Sequence, residues 1–218
     1  MIFADRVEAG NKLALKLMDY ADGNTVVLAV PRGGVVVGYE VARKLRAFLD
    51  IIVPRKIGAP NNPELAIGAV AEDGTIILDY ELVAYLNVPE KYIKEESARQ
   101  RLEIKRRLRL YRGDSPPLNF ENRNIIIVDD GIATGATIKA AIASMRKKRP
   151  KSIIVAVPVA PPSTVKALEK EADRVICLST PEPFYAIGQF YKDFSQTSDE
   201  EVIKLLKLNR EELGVAKL

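Results

Sequence analysis

The residues of this chain best suited to chemistry lie together at positions 125–137, IIIVDDGIATGAT. Ile125, Ile126, Ile127 and Val128 are β-branched, which suits a strand buried on both faces. Asp129 and Asp130 follow at its carboxyl end. Then come Gly131, Ile132, Ala133, Thr134, Gly135, Ala136 and Thr137, where a helical pattern begins. A loop of small residues opening a helix presents several backbone N–H groups and the positive end of the helix dipole, an arrangement that holds a phosphate dianion. Thr134 and Thr137 add hydroxyl donors, and Gly131 and Gly135 let the backbone approach closely. Two adjacent carboxylates would repel a bare phosphate. Vicinal sugar hydroxyls between them resolve the conflict, because each carboxylate accepts an O–H donor. A magnesium ion can share such a site. The plainer reading is a glycine-rich turn with incidental acids. A Walker A loop is excluded, since no Gly-Lys-Ser/Thr follows, and so are the spaced glycines of a dinucleotide fingerprint.

Composition removes other chemistries. The 218 residues contain no histidine and one cysteine. Ser-His-Asp and Cys-His sites are therefore impossible, as are His-based zinc sites. Carboxylates, Lys, Arg, Tyr, backbone amides or a hard metal must do the work. Cys177 cannot form an internal disulfide and lies in an apolar run, which reads as a small buried hydrophobe in a reducing cytoplasm. A net charge of +4 fits an anionic ligand without demanding nucleic acid. No leader is expected, because Asp5, Glu8 and Asp19 interrupt the first twenty residues. No apolar run is long enough to span a bilayer.

The elements that position the acid loop follow from periodicity. Strands are expected at 25–30, 50–54, 124–128, 152–157 and 174–178, and helices at 35–49, 136–148 and 163–171. Residues 66–71 and 75–78 flank Glu72-Asp73-Gly74 and read as a hairpin. This alternation predicts an α/β fold: a mostly parallel central sheet with helices on both faces, in one domain over 1–218. The N-terminal helix near 5–20 and the tail from 181, with a helix at 199–206 capped by Ser198, are expected to form a small hood. Residues 90–112 read as one long helix, with nine Lys or Arg against three Glu between Lys91 and Arg112. That is a phosphate or nucleic-acid face, or simply a solvated face or subunit contact. No aromatic platform is interleaved, so nucleic acid is not favoured.

Two further stretches are anion sites in prospect. Pro31, Arg32, Gly33 and Gly34 join a strand to a helix and combine a freed backbone with a cation. Arg55 and Lys56 precede a stretch at 58–64 rich in Gly, Pro and Asn, which reads as a polar loop.

The 125–137 segment resembles the signature of type I phosphoribosyltransferases: four apolar residues, two acids, and a loop ending in Thr-Gly and Thr. The resemblance implies that Asp129 and Asp130 bind the ribose hydroxyls of phosphoribosyl diphosphate (PRPP) and, directly or through those hydroxyls or water, magnesium. It implies that Gly131 through Thr137 bind the 5-phosphate. It makes Pro31, Arg32 and Gly33 the diphosphate loop, entered by a cis bond at Pro31–Arg32. Arg55 and Lys56 become further diphosphate contacts at the base of a mobile loop. Asp129, Asp130 and Arg32 become the catalytic set, in a Mg2+-dependent phosphoribosyl transfer to a nitrogenous acceptor such as a nucleobase. Hypoxanthine-type members carry an Asp where this chain has Ala133, so a base at that position is ruled out. The loop resembles the adenine-type form instead, without making adenine the substrate. The aromatic tail at 184–197 resembles that of a less characterised subgroup. There Phe190 or Tyr191 would stack on the base, or would build a mini-core joining tail to sheet. Family relatives also act as regulators, so a PRPP sensor with little transferase activity is the alternative. A homodimer, no membrane partner and a cytoplasmic location complete the expectation.

Overall fold

The computed structural model describes residues 1–113 and 118–214. In chain order its elements begin with helix α1 (Arg6–Leu15), strand β1 (Thr25–Ala29), helix α2 (Gly33–Leu45) and strand β2 (Phe48–Ile51). Strands β3 (Arg55–Ala59), β4 (Asn62–Val70) and β5 (Ile76–Leu78) follow, then helices α3 (Tyr80–Tyr85) and α4 (Glu90–Arg112). The remainder is β6 (Asn124–Val128), α5 (Ala136–Arg146), β7 (Ser152–Val159), α6 (Pro162–Leu168), β8 (Arg174–Ser179) and α7 (Asp199–Glu212).

Five strands form a parallel sheet in the order β2-β1-β6-β7-β8, with β6 at its centre. The pleat sends alternate residues to opposite faces. Val27, Ala29, Ile126, Val128, Ile154 and Ala156 face one side and pack with α1, α2 and α7 through Leu13, Val41, Leu45 and Leu206. Val26, Leu28, Ile125, Ile127, Ile153 and Val155 face the other and pack with α5 and α6 through Ile138, Ile142, Met145 and Leu168. Both faces are therefore covered, as the unbroken β-branched runs require. No helix among the described residues is long and apolar enough to cross a membrane.

The antiparallel strands β3-β4-β5 make a second, smaller sheet. Its β4–β5 turn is the expected one: Gly74 has a positive φ of 86°, and Ala71 N–H donates to the Thr75 carbonyl at 2.8 Å. The stretch at 58–64 is a correction. It is not an open loop but the β3–β4 hairpin, with Ala59 opposite Asn62 and a register irregularity at Gly58. A Cβ on Gly58 would lie 2.5 Å from the Pro63 carbonyl oxygen, so the glycine serves the crossing of two strands. Gly, Pro and Asn mark a tight turn here, where the composition suggested a flexible loop. Helix α3, unforeseen, is capped by Asp79, which accepts from Leu82 N–H at 2.9 Å.

The terminal segments join. Phe3 N–H donates to the Phe190 carbonyl, and Lys192 N–H to that of Phe3, each at 2.8 Å. The part of the expected hood that reaches the strand ends is therefore the chain near Phe3 together with 184–197. Helix α7 packs against α2 and β2 instead, and residues 215–218 of the expected hood lie outside the described residues. Ser198 caps α7, accepting from Glu201 N–H at 3.1 Å.

The docking of α7 depends on buried Asn209. Its Oδ1 accepts from Leu49 N–H at 2.8 Å and its Nδ2 donates to the Ala47 carbonyl at 3.1 Å. Asn209→Ala strands a buried N–H and carbonyl, so a loss of about 2 kcal/mol is expected in urea unfolding.

Candidate active site

Asp129 and Asp130 stand where β6 ends, at the carboxyl edge of the sheet, where open α/β sheets bind ligands. The two acids are not equivalent. Asp130 is buried and ion-paired to Arg6, with Arg6 Nε to Oδ2 at 2.8 Å. The Arg6 guanidinium also donates to the Ser195 carbonyl at 2.7 Å and lies 3.9 Å over the Phe194 ring. Tyr191 donates its hydroxyl to the Asp130 backbone carbonyl at 2.5 Å. Asp129 has no cation against it among the described residues. Its Oδ1 accepts the Asp130 N–H at 2.8 Å. Burial, reinforced by the Asp130 charge, pushes the Asp129 carboxyl well above the ordinary range. Burial also raises Asp130, opposed by the hydrogen bond and charge of Arg6.

The turn after β1 closes on this pair. The Pro31–Arg32 bond is cis, as expected. A Cβ on Gly33 would stand 2.0 Å from Asp130 Oδ2 and 2.6 Å from Arg6 Nε; one on Gly34 would stand 2.9 Å from Asp129 Oδ1. Only glycine lets the loop approach so closely. Arg32 faces Asp199 at the start of α7, 3.9 Å away. Tyr111 donates to that same carboxylate at 2.5 Å, and burial together with this bond pushes the tyrosine up to about 12.

On the far side, Gly131 is pressed against Ile187, and Ile132 N–H donates to the Val159 carbonyl at 3.0 Å. Thr164 holds the Ala133 carbonyl at 2.6 Å. Gly135 takes a left-handed turn (φ 80°) into α5, whose N-terminus has no side-chain cap. Its first N–H groups are available to an anion.

A cavity of about 370 Å³ opens over the acid pair, lined by Arg6, Val30, Pro31, Arg32, Gly33, Asp129, Asp130, Phe194, Gln196 and Thr197, with none of Gly131 to Thr137 in its wall. It brings the acid pair and the Arg32 loop together. It does not include Arg55 or Lys56: Arg55 donates to Gln100 at 2.9 Å, and Lys56 pairs with Glu64 across the hairpin at 2.6 Å. Nor does it present Phe190 or Tyr191. Those rings are 7% and 6% exposed and pack with Phe3, Phe184 and Phe194. The sequence reading missed Arg6, Phe194, Gln196 and Thr197. Arg6 carried one signal: a cation in the first turn of a helix opposes the dipole, so it needs an outside partner. Of the nine cations on α4, six pair with carboxylates, most of them on the same helix, which favours the solvated-face reading.

The "Phosphoribosyl transferase domain" family model matches residues 3–195. The chain belongs to the phosphoribosyl transferase family. Proteins from two Mycobacterium tuberculosis strains, CDC 1551 and H37Rv, both named provisionally as phosphoribosyl transferases, are 42% identical to it over 205 residues. Those matches cover 94% of this chain and 46% of theirs, so the chain spans about half the length of these curated relatives. The crystal structure of TT1426 from Thermus thermophilus superposes with a TM-score of 0.81 at 43% identity, covering 94% of this chain and 98% of that one.

In this member of the family the raised Asp129 carboxyl has a thermodynamic consequence. A carboxyl whose pKa is higher folded than unfolded contributes stability below the unfolded value, lost as pH rises through the folded value. Asp129→Asn removes that penalty. The variant is expected to melt above the wild type at pH 7.5, with the gain vanishing near pH 4, as followed by thermal unfolding at both pH values.

Proposed function

We propose that the chain transfers a phosphoribosyl group from PRPP to a nitrogen acceptor, releasing diphosphate. The observation that carries this reading is the Asp129–Asp130 pair facing the Arg32 loop across one cavity, with the uncapped start of α5 following the same strand end. Each matches one part of the donor: hydroxyls, 5-phosphate and diphosphate. Asp129, with no cation against it, accepts the ribose hydroxyls; Asp130 completes the pair while held by Arg6. Of the Gly131 to Thr137 loop, the backbone from Ala133 to Thr137 anchors the 5-phosphate, since the Ile132 N–H is taken by the Val159 carbonyl. Arg32 meets the diphosphate. Arg55 and Lys56 join it when the β3–β4 hairpin swings in from its present pairings, which also excludes water.

The anomeric C–O bond breaks with its electron pair leaving on diphosphate. The acceptor nitrogen then bonds to the anomeric carbon and gives up a proton. The task of the protein is positioning and electrostatics. The residues fit a magnesium ion as partial ligands. No three His, Cys, Asp or Glu side chains converge on a metal position among the described residues, and magnesium is commonly held by one or two carboxylates with substrate oxygens and water. Asp129 and Asp130 would hold it, directly or through ribose hydroxyls or water, and it would supply charge neutralisation for the diphosphate. A cytoplasmic homodimer is part of the same reading.

Asp129→Asn is expected to weaken PRPP binding about thirtyfold in calorimetry with magnesium present, in line with the loss of charge-assisted hydrogen bonds. Unchanged affinity would remove the ribose from this carboxylate.

A further inference from the structure

Arg32, the cation of the turn after β1, is loosely held. Its Nη1 stands 3.9 Å from Asp199 Oδ1, beyond hydrogen-bond length, and the two side chains are 33% and 38% exposed. Asp199 is held more firmly from its other side. Tyr111, buried on α4, donates its hydroxyl to the same Oδ1 at 2.5 Å. Burial and this bond push the tyrosine up to about 12, so the hydroxyl keeps its proton and remains the donor at neutral pH. Asp199 is also the first residue of α7, the helix that Asn209 moors to Ala47 and Leu49. The carboxylate is thus fixed by two elements, while the guanidinium answers to it by charge alone.

Arg32 lines the cavity over the acid pair, and Asp199 and Tyr111 do not. A carboxylate behind a cation has two effects of opposite sign. It keeps the guanidinium in place while the site is empty, and it competes for that guanidinium with any anion that enters. An ion pair this exposed is worth at most about a fivefold factor. Diphosphate carries more charge and can meet the guanidinium N–H groups at bonding distance, so it can displace the pair. Tyr111 sets the strength of the competition. Its bond occupies Oδ1, the oxygen nearest Arg32, and keeps that oxygen from closing on the guanidinium.

We propose that Asp199 and Tyr111 are positioning residues for Arg32. Asp199 is a fixed counter-charge that presents the guanidinium to the donor cavity and is exchanged for diphosphate. Tyr111 holds the carboxylate short of a direct hydrogen bond, so that the exchange stays easy in both directions. This rests on the assignment of Arg32 to diphosphate in the transfer proposed above. A transferase must release diphosphate after each turnover, and the waiting carboxylate takes Arg32 back as diphosphate departs.

Inorganic diphosphate with magnesium, and ribose 5-phosphate alone, represent the two halves of the donor. Calorimetric titration of the full chain reads both. Asp199→Asn is expected to bind diphosphate about threefold tighter, the scale of one partly exposed ion pair. Tyr111→Phe is expected to bind it about threefold weaker, because the released carboxylate closes on Arg32. The double variant Y111F/D199N is expected to follow Asp199→Asn. On an Arg32→Gln background neither substitution is expected to change diphosphate affinity. Ribose 5-phosphate affinity is expected to be unchanged throughout. A merely structural role weakens both ligands together and overturns the inference. So does unchanged diphosphate affinity in the single variants, a change of the same sign in both, or a change that persists without Arg32. Diphosphate binding that Arg32→Gln leaves intact overturns the assignment of Arg32 itself, and the positioning role with it.

Discussion

The ion pair between Arg6 and Asp130 ties together segments that are far apart in the chain. Arg6 comes from the first helix and Asp130 from the end of the central strand. Gly33 lies against both, and Phe194 and the Ser195 carbonyl hold the guanidinium from the tail. Both side chains are only 11% exposed. A pair this buried adds little net stability, because desolvation offsets the attraction, but breaking it leaves an uncompensated charge. Its effect is therefore on arrangement. The terminal segments must meet at this strand edge, and the turn after β1 must be free of side chains where it passes over the pair.

That pairing also divides the acids. Asp130 spends one oxygen on Arg6, while Asp129 relies on a backbone N–H and is pushed towards protonation. An unliganded protein gains nothing from a second, poorly compensated carboxylate. Hydroxyl donors or a cation arriving with a substrate would remove the penalty. A locally unfavourable group retained where the fold could accept asparagine is the pattern expected of a binding site.

Much of this was legible from residue order. The run Ile125–Val128 is apolar at every position, so it had to be a strand covered on both sides. The acids, glycines and threonines after it had to fall at the sheet's carboxyl edge. Contacts made across long separations were not legible. Arg6 and Asp130 are 124 positions apart, and nothing near either names the other. The β3–β4 hairpin was misread because Gly58, Pro60 and Asn61 suit a tight turn as well as an open loop. The distinction lies in Gly58 passing against Pro63, a packing fact. Phe190 and Tyr191 carried the aromatic signal of the tail, but both pack into the mini-core around Phe3.

The tail therefore packs in a different way from the one its composition suggests. Phe194 is the aromatic that borders the donor cavity, and its ring is already covered by Arg6 and pressed by Gly188, where a Cβ would lie 2.9 Å away. Among the described residues it is the aromatic that lines this cavity, and it remains 36% exposed. The strand-end loops are fixed by the sheet, whereas the joined terminal segments are held across it by Arg6 and the aromatic cluster around Phe3.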